Sequence, residues 1–320
     1  VIGGRQPAGQ SGSLGGAKDV KILSLGEVMV ELSAQQPNLW RSAFAGDTFN
    51  TAWYLAALRP GWQVSYGTRL GSDAMSDAAV AAIAAAGLGT QWITRDPQRT
   101  IGLYAISLKD GERSFTYWRG QSAARAFADD AVWLKVAIAA ADVVYLSGIT
   151  IAILAPEKRA LLNELLVGKR VVFDPNIRPR LWESPQAMRD AITETARRAS
   201  ILLPSFDDEA AAFGDASPEA TAQRYAALGV AEVVVKNGEK NPAVLFDGEA
   251  VQVPAPVPVK PTDTTGAGDS FNAGYLAARL DGCDIVQSVE AGQALSALVV
   301  QHPGALTPRD VLDSYRAGSA

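Results

Sequence analysis

From Asp142 onward, short apolar runs alternate with amphipathic stretches. VVYLSG, RVVFD, ILLP and VVVK (233–236) read as strands, and the spacing between them predicts helices over 156–166, 186–199, 218–228 and near 207–213. Strands that alternate with helices imply crossover connections and a largely parallel sheet, and runs this short and apolar fit burial on both faces. The first half starts in the same way. KILSLGEVMVEL, from Lys21 to Leu32, opens as a strand that changes direction at Gly26-Glu27. Helices are predicted over 47–58 and over 72–86, an Ala-rich stretch ended by Gly87, with short strands at Val64–Tyr66 and Trp92–Thr94.

One region departs from this rhythm. Thr100–Leu108 and Arg113–Trp118 are β-rich and joined by Lys109-Asp110-Gly111-Glu112, a strong hairpin signal. A hairpin has to project from a parallel succession, so with residues 34–45 it is expected to form a small sheet that covers a site. The predicted fold class is α/β: three layers, α/β/α, around a mostly parallel central sheet. The core spans 19–33, 46–97 and 121–320, and the β lid spans 34–45 and 98–120. PAPVPVKP at 254–261 reads as a stiff connector. Residues 1–18, rich in Gly, Ser, Ala and Gln and without an apolar signal-peptide region, read as a flexible leader, an expression remnant or an early start.

Composition narrows the function. A chain of 320 residues, 48% hydrophobic and 20% charged, has the make-up of an ordinary globular enzyme. Its net charge of −5 argues against nucleic acid as a partner, which calls for a basic face. The single cysteine, Cys283, excludes an internal disulfide framework and suits a reducing cytoplasm. The single histidine, His302, argues against zinc ligation and against a Ser-His-Asp triad. No run approaches the length of a membrane span, so no membrane partner is expected.

The chemistry concentrates in Asp263-Thr264-Thr265-Gly266-Ala267-Gly268-Asp269-Ser270-Phe271. Gly266, Ala267 and Gly268 carry almost no side chain, so their backbone N–H groups can close on a phosphate at the positive end of the following helix. Asp269 then puts a carboxylate beside an anion site, which is unfavourable unless that carboxylate takes a proton from an attacking hydroxyl. The same residues also suit a plain glycine-rich cap with a first-turn acid. No G-x-G-x-x-G follows the first strand, which argues against a dinucleotide-binding dehydrogenase.

This segment resembles D-T-x-G-A-G-D, the second signature of the ribokinase-like (PfkB-type) carbohydrate kinases. Phe44-Ala45-Gly46-Asp47-Thr48-Phe49-Asn50 resembles their first signature, G-G-D-x-x-N, with Ala45 in place of the first glycine. The resemblance runs from about residue 20 to 316. It implies a ribokinase-like fold, Asp269 as base, the amides of 266–269 as anion hole, and ATP with Mg²⁺ as cofactors, the metal held largely through water. Tyr117-Trp118-Arg119 with Ser122-Ala123-Ala124, and Asp174-Pro175-Asn176-Ile177-Arg178, resemble the 2-keto-3-deoxygluconate kinase branch. There two arginines would clamp the acid group of a sugar acid, whereas neutral-sugar kinases have no carboxylate to bind.

Carried over from that branch, the substrate contacts are Gly46, Asp47, Asn50, Tyr104, Tyr117, Arg119 and Arg178. The nucleotide side takes Asn176, Arg178, Ser205, the Lys236-Asn237-Gly238 turn and 266–269. A monovalent cation such as K⁺ is implied beside Asp263 and Thr265. Ser205-Phe206-Asp207-Asp208 stands where many members carry N-x-x-E, so that motif is blurred here. The residues themselves leave other roles open: Asp47 as a helix cap, the tyrosines as lid core, the arginines as surface ion pairs and Asn237-Gly238 as a turn. Fructokinase, ribokinase or 2-keto-3-deoxygalactonate kinase activity stands as the alternative, as does a non-catalytic sugar-acid or nucleotide sensor. An open lid edge would also allow pairing into a homo-oligomer.

Overall fold

The computed structural model describes residues 20–36, 38–109 and 112–318. The leader 1–18 and the hairpin turn residues Asp110 and Gly111 lie outside the described residues. The strands are β1 (Lys21–Leu25), β2 (Met29–Gln36), β3 (Leu39–Ala45), β4 (Gln63–Gly71), β5 (Ile93–Asp96), β6 (Gly102–Lys109) and β7 (Glu112–Trp118), followed by β8 (Val143–Ser147), β9 (Arg170–Asp174), β10 (Ile201–Leu202), β11 (Glu232–Val235), β12 (Ala243–Phe246) and β13 (Glu249–Ala250). Nine of them form one sheet in the order β13-β12-β11-β10-β9-β8-β1-β4-β5, parallel from β11 through β5. A second sheet, β3-β2-β6-β7, carries the predicted hairpin and is reached through the turn at Gly26-Glu27.

The apolar strands alternate between two cores, as burial on both faces requires. Val143 and Tyr145 of β8 face one cluster with Phe49, Tyr275 and Leu295, whereas Val144 and Leu146 face the other with Leu162, Ile192 and Tyr225. Helices cover both sides and make three layers. Asp47–Leu58, Ala267–Arg279 and Ile285–Val299 lie on the first core, and Ala131–Ala139, Pro156–Leu165 and Pro185–Ala196 on the second. Leu39, Trp40, Phe115, Tyr117 and Trp118 of the second sheet are exposed.

Most predicted elements appear within a residue or two of their expected ends. The second helix starts at Ala74 because Asp73 caps it, its carboxylate accepting from the N–H groups of Met75 and Ser76. ILLP yields only the two-residue β10, ending before Pro204, which has no N–H to donate. The antiparallel β12–β13 edge is a further element, turned by Asp247 and Gly248 at positive φ. Asp-Gly is a hairpin signal legible in the sequence.

Candidate active site

Strand order reverses around β1, and the carboxyl ends of β1, β9 and β11 deliver Glu27, Asp174 and Lys236 to one rim. Such a rim is where open α/β sheets bind ligands. Two helix N-termini meet there.

The first belongs to helix Asp47–Leu58. A Cβ on Gly46 would lie 2.2 Å from the Glu27 carbonyl oxygen, so only glycine lets these backbones approach. Asn50 Oδ1 accepts weakly from the Gly46 N–H (3.4 Å), and its amide donates to Asp269 Oδ2 at 2.8 Å. Asp47 accepts from its neighbour's N–H, Thr48, at 2.8 Å and from Asn176 Nδ2 at 2.7 Å. Asn176 itself is at φ 33°, a region asparagine enters more readily than most residues, and its N–H bonds to Asp174 Oδ1.

The second N-terminus belongs to helix Ala267–Arg279. Gly266 caps it at φ 78°, and a Cβ there would sit 2.7 Å from the Ala305 carbonyl. Ala267 N–H bonds to the Thr264 carbonyl and Ser270 N–H opens the helical ladder on Gly266. Between them lie the first-turn N–H groups of Gly268 and Asp269, positions without intrahelical acceptors. Asp263 braces this loop: one carboxylate oxygen accepts from Thr265 N–H and Oγ1, the other from Gly304 N–H.

Lys236 joins the two halves. Its ammonium donates to Asp174 Oδ2 at 2.9 Å and to Asn272 Oδ1 at 3.0 Å, and it would come within 3.5 Å of a Cβ on Gly268. Asn272 Nδ2 in turn reaches Asp174 Oδ2 at 2.6 Å and the Tyr145 hydroxyl at 3.0 Å. Thr51 Oγ1 lies 3.2 Å from the Asp269 carbonyl. Burial, with the charge of Asp47 next, pushes the half-buried Asp269 carboxyl up to about 8; Asn50 and Lys236 oppose the rise. A carboxyl so raised is a stronger base once ionised, and in that form it can accept a proton from a hydroxyl.

The remaining predicted residues lie in the second sheet, just after it, and on the loops that follow β9, β10 and β11. Arg119 is buried and pairs with the fully buried Glu27. Tyr104 is buried and donates to Glu31, and its phenol is driven far up by burial and that carboxylate, with Asp269 a further contributor. Tyr117 is exposed, its ring centroid 5.7 Å from that of Tyr104. Arg178 is half-exposed and bonds Asp208 at 3.1 Å. Ser205 bridges to Lys236, while Gly238 lies at a positive-φ turn on the surface.

Beside this rim a cavity of about 340 Å³ runs from Lys236 and Gly268 out to the connector. Pro256, Val257, Pro258, Phe271, Ala297 and Val300 give it apolar walls. Among the described residues no cluster of three or more His, Cys, Asp or Glu side chains could hold a metal, and no helix is long and apolar enough to cross a membrane.

Asp174, Asn272 and Glu27 are site residues to which the sequence reading assigns no role. Asn272 had a signal: it lies three residues after Asp269, on the same helix face, in an otherwise apolar run. Glu27 had one too, as a charge inside KILSLGEVMVEL.

Solved structures share this architecture. The PfkB protein from Polaromonas sp. JS666 matches with a TM-score of 0.77 and 32% identity, over 92% of this chain and 99% of that one. A 2-dehydro-3-deoxygluconokinase from Thermotoga maritima matches with a TM-score of 0.80 and 20% identity, over 94% and 99%. These structures share the ribokinase-like fold, and with the family match and curated relatives that follow they make the chain a sugar kinase, a phosphotransferase with an alcohol group as acceptor. The model of the pfkB family carbohydrate kinases covers residues 19–311, and the chain belongs to that family. It is 38% identical to the 2-dehydro-3-deoxygluconokinase of Haemophilus influenzae over 89% of this chain and 95% of that protein. Identity is also 38% to the enzyme of the same description in Escherichia coli K12, over 91% and 98%. Relatives so described support a sugar acid as the kinase's substrate class.

Proposed function

We propose that the chain transfers the γ-phosphate of ATP to the 6-hydroxyl of 2-keto-3-deoxygluconate, also called 2-dehydro-3-deoxygluconate. The observation that carries this reading is the position of Asp269. It is a half-buried carboxyl on the first turn of a helix, oriented by Asn50, with its pKa raised to about 8. Asp269 takes the hydroxyl proton as the oxygen attacks the γ-phosphorus. The bond from phosphorus to the β-γ bridging oxygen breaks, and ADP leaves with that oxygen's electron pair. The N–H groups of Gly268 and Asp269 and the Lys236 ammonium face the charge that collects on the transferring group.

The relatives' names support the acceptor, and Arg119 and Arg178 supply the two guanidinium groups that a sugar acid's carboxylate would use. The apolar cavity fits a nucleotide base, with its phosphates directed to Gly268 and Lys236. Asp208, whose carboxyl is raised by burial, and Asp174 are the carboxylates nearest Arg178 and Lys236 and would orient the water shell of the Mg²⁺ that screens the phosphates. K⁺ beside Asp263 and Thr265 belongs to the same proposal: replacing K⁺ by a bulky organic cation should lower kcat. A demand for ATP assigns the work to the cytoplasm.

A coupled ADP-release assay tests the reading. The panel is 2-keto-3-deoxygluconate, its galactonate epimer, fructose, ribose and adenosine, with wild type, Arg119→Ala and Arg178→Ala. Turnover of the keto-deoxy acids alone, with KM raised by either substitution, is the expected result. Preference for fructose or ribose would refute the acid clamp while leaving the fold and the role of Asp269 intact.

A further inference from the structure

Resting on the sugar-acid reading, we infer that Glu27 is a positioning residue that limits how tightly the site takes an acid: its carboxylate holds Arg119 ready and opposes the carboxylate of the substrate. Glu27 follows β1 at the turn into the second sheet, and its side chain is fully buried. It meets only one edge of the guanidinium, through Arg119 Nη2. Arg119 Nε and Glu27 Oε1 are buried without a hydrogen-bond partner, as is Ser122 Oγ. The Glu27 carboxylate and the Ser122 side chain share one place beside Gly102. A Cβ on Gly102 would lie 2.7 Å from Glu27 Oε1 and 3.3 Å from Ser122 Cβ.

The cluster adjoins the reaction centre. Glu27, Arg119 and Asp47 all act on the buried Tyr66 hydroxyl, which lies 3.1 Å from Thr48 Oγ1 in the helix turn that carries Asp47 and Asn50. The Glu27 carbonyl abuts Gly46. A guanidinium has five N–H donors in a planar fork, so one carboxylate on one edge leaves room for a second. A buried arginine without a countercharge is strongly destabilising. Glu27 removes that problem in the ligand-free protein and keeps the fork aligned. The consequence is a second negative charge close to where the substrate's carboxylate must sit. Asp208 on the other clamp arginine, Arg178, repeats the pattern at a more exposed position, and Glu31 does so for Tyr104.

Glu27→Gln keeps the shape and an acceptor for Arg119 Nη2 but removes the charge. Calorimetric titration of the full chain with 2-keto-3-deoxygluconate should give a Kd lower by about tenfold than wild type, from two carboxylates sharing one guanidinium. The neutral analogue with a hydroxymethyl group in place of the carboxylate should bind both proteins alike. An acid Kd that is unchanged or higher, or an equal shift for both ligands, overturns the inference. If Glu27→Gln does not accumulate as folded protein, Glu27→Asp draws the charge back by one methylene and should tighten acid binding in the same sense; equal or weaker binding overturns the inference. Arg119→Ala separates the two levels. If it leaves acid binding untouched, the clamp itself fails and the inference with it; if it weakens acid binding while Glu27→Gln does nothing, only the role of Glu27 falls.

Discussion

Replacing Asp269 by Asn removes a charge that the fold holds against its own preference. The carboxyl rises from an ordinary 3.8 to about 8, through burial first and then the nearby Asp47. A shift of that size corresponds to roughly 6 kcal/mol if fully expressed, and the partial solvent access of this side chain brings it to about 2–4 kcal/mol. The sign follows from proton binding. Between those two pKa values the folded protein holds a proton that the unfolded chain has lost, so stability falls as pH rises through this window. The penalty is absent below about 4 and full above about 8. Asn carries no such charge and can still meet Asn50, so Asp269→Asn should melt several degrees above wild type at pH 8.5, the margin vanishing towards pH 4. The same variant loses the proton acceptor, and kcat should fall roughly a hundred- to ten-thousand-fold. Calorimetric melts across pH, paired with the ADP-release assay, check both arms. Near-normal kcat would refute the base assignment, and a variant no more stable than wild type at pH 8.5 would refute the electrostatic account.

Gly46→Ala should destabilise the fold by about 1–3 kcal/mol in urea melts, because its Cβ would meet the Glu27 carbonyl at 2.2 Å and backbone yields little. Gly46 is extended, at φ 172°, so the clash alone carries the effect. Gly266→Ala combines an unfavourable φ of 78° with a 2.7 Å approach to Ala305; its expected signature is a weakened affinity for ATP, measured by titration, together with a lower melting temperature. Lys236→Met leaves Asp174 buried without its cation, a loss of about 3–5 kcal/mol. Because Lys236 also lowers the Asp269 carboxyl, its removal should move the acid limb of the kcat/KM profile to higher pH.

Local signals carry a good part of this molecule. Helix Asp47–Leu58 is legible from its apolar spacing and its Gly-Asp start, the second sheet from a β-rich hairpin in a βα succession, and the small-residue loop Gly266-Ala267-Gly268 from its place ahead of an apolar helix. Each depends on residues within one or two turns of each other, which is the range over which periodicity and capping act. The β12–β13 edge was legible too, in Asp247-Gly248. The short β10 depended instead on where Pro204 falls relative to its neighbours in the sheet.

The partnerships inside the site lie beyond that range. Asn50 meets Asp269 across 219 residues, Asn176 meets Asp47 across 129, Arg119 meets Glu27 across 92, and Lys236 meets Asp174 across 62. These pairings follow from the position of β1 between β8 and β4 and from the docking of two helix N-termini on one rim. By itself the sequence determined which residue types could do the chemistry and which local elements would present them. Tertiary structure alone decided which charges share a buried space, because a side chain's countercharge and solvation are set by neighbours brought together through the sheet order. That is why the raised carboxyl of Asp269 and the grip of Glu27 on Arg119 are properties of the fold rather than of any motif.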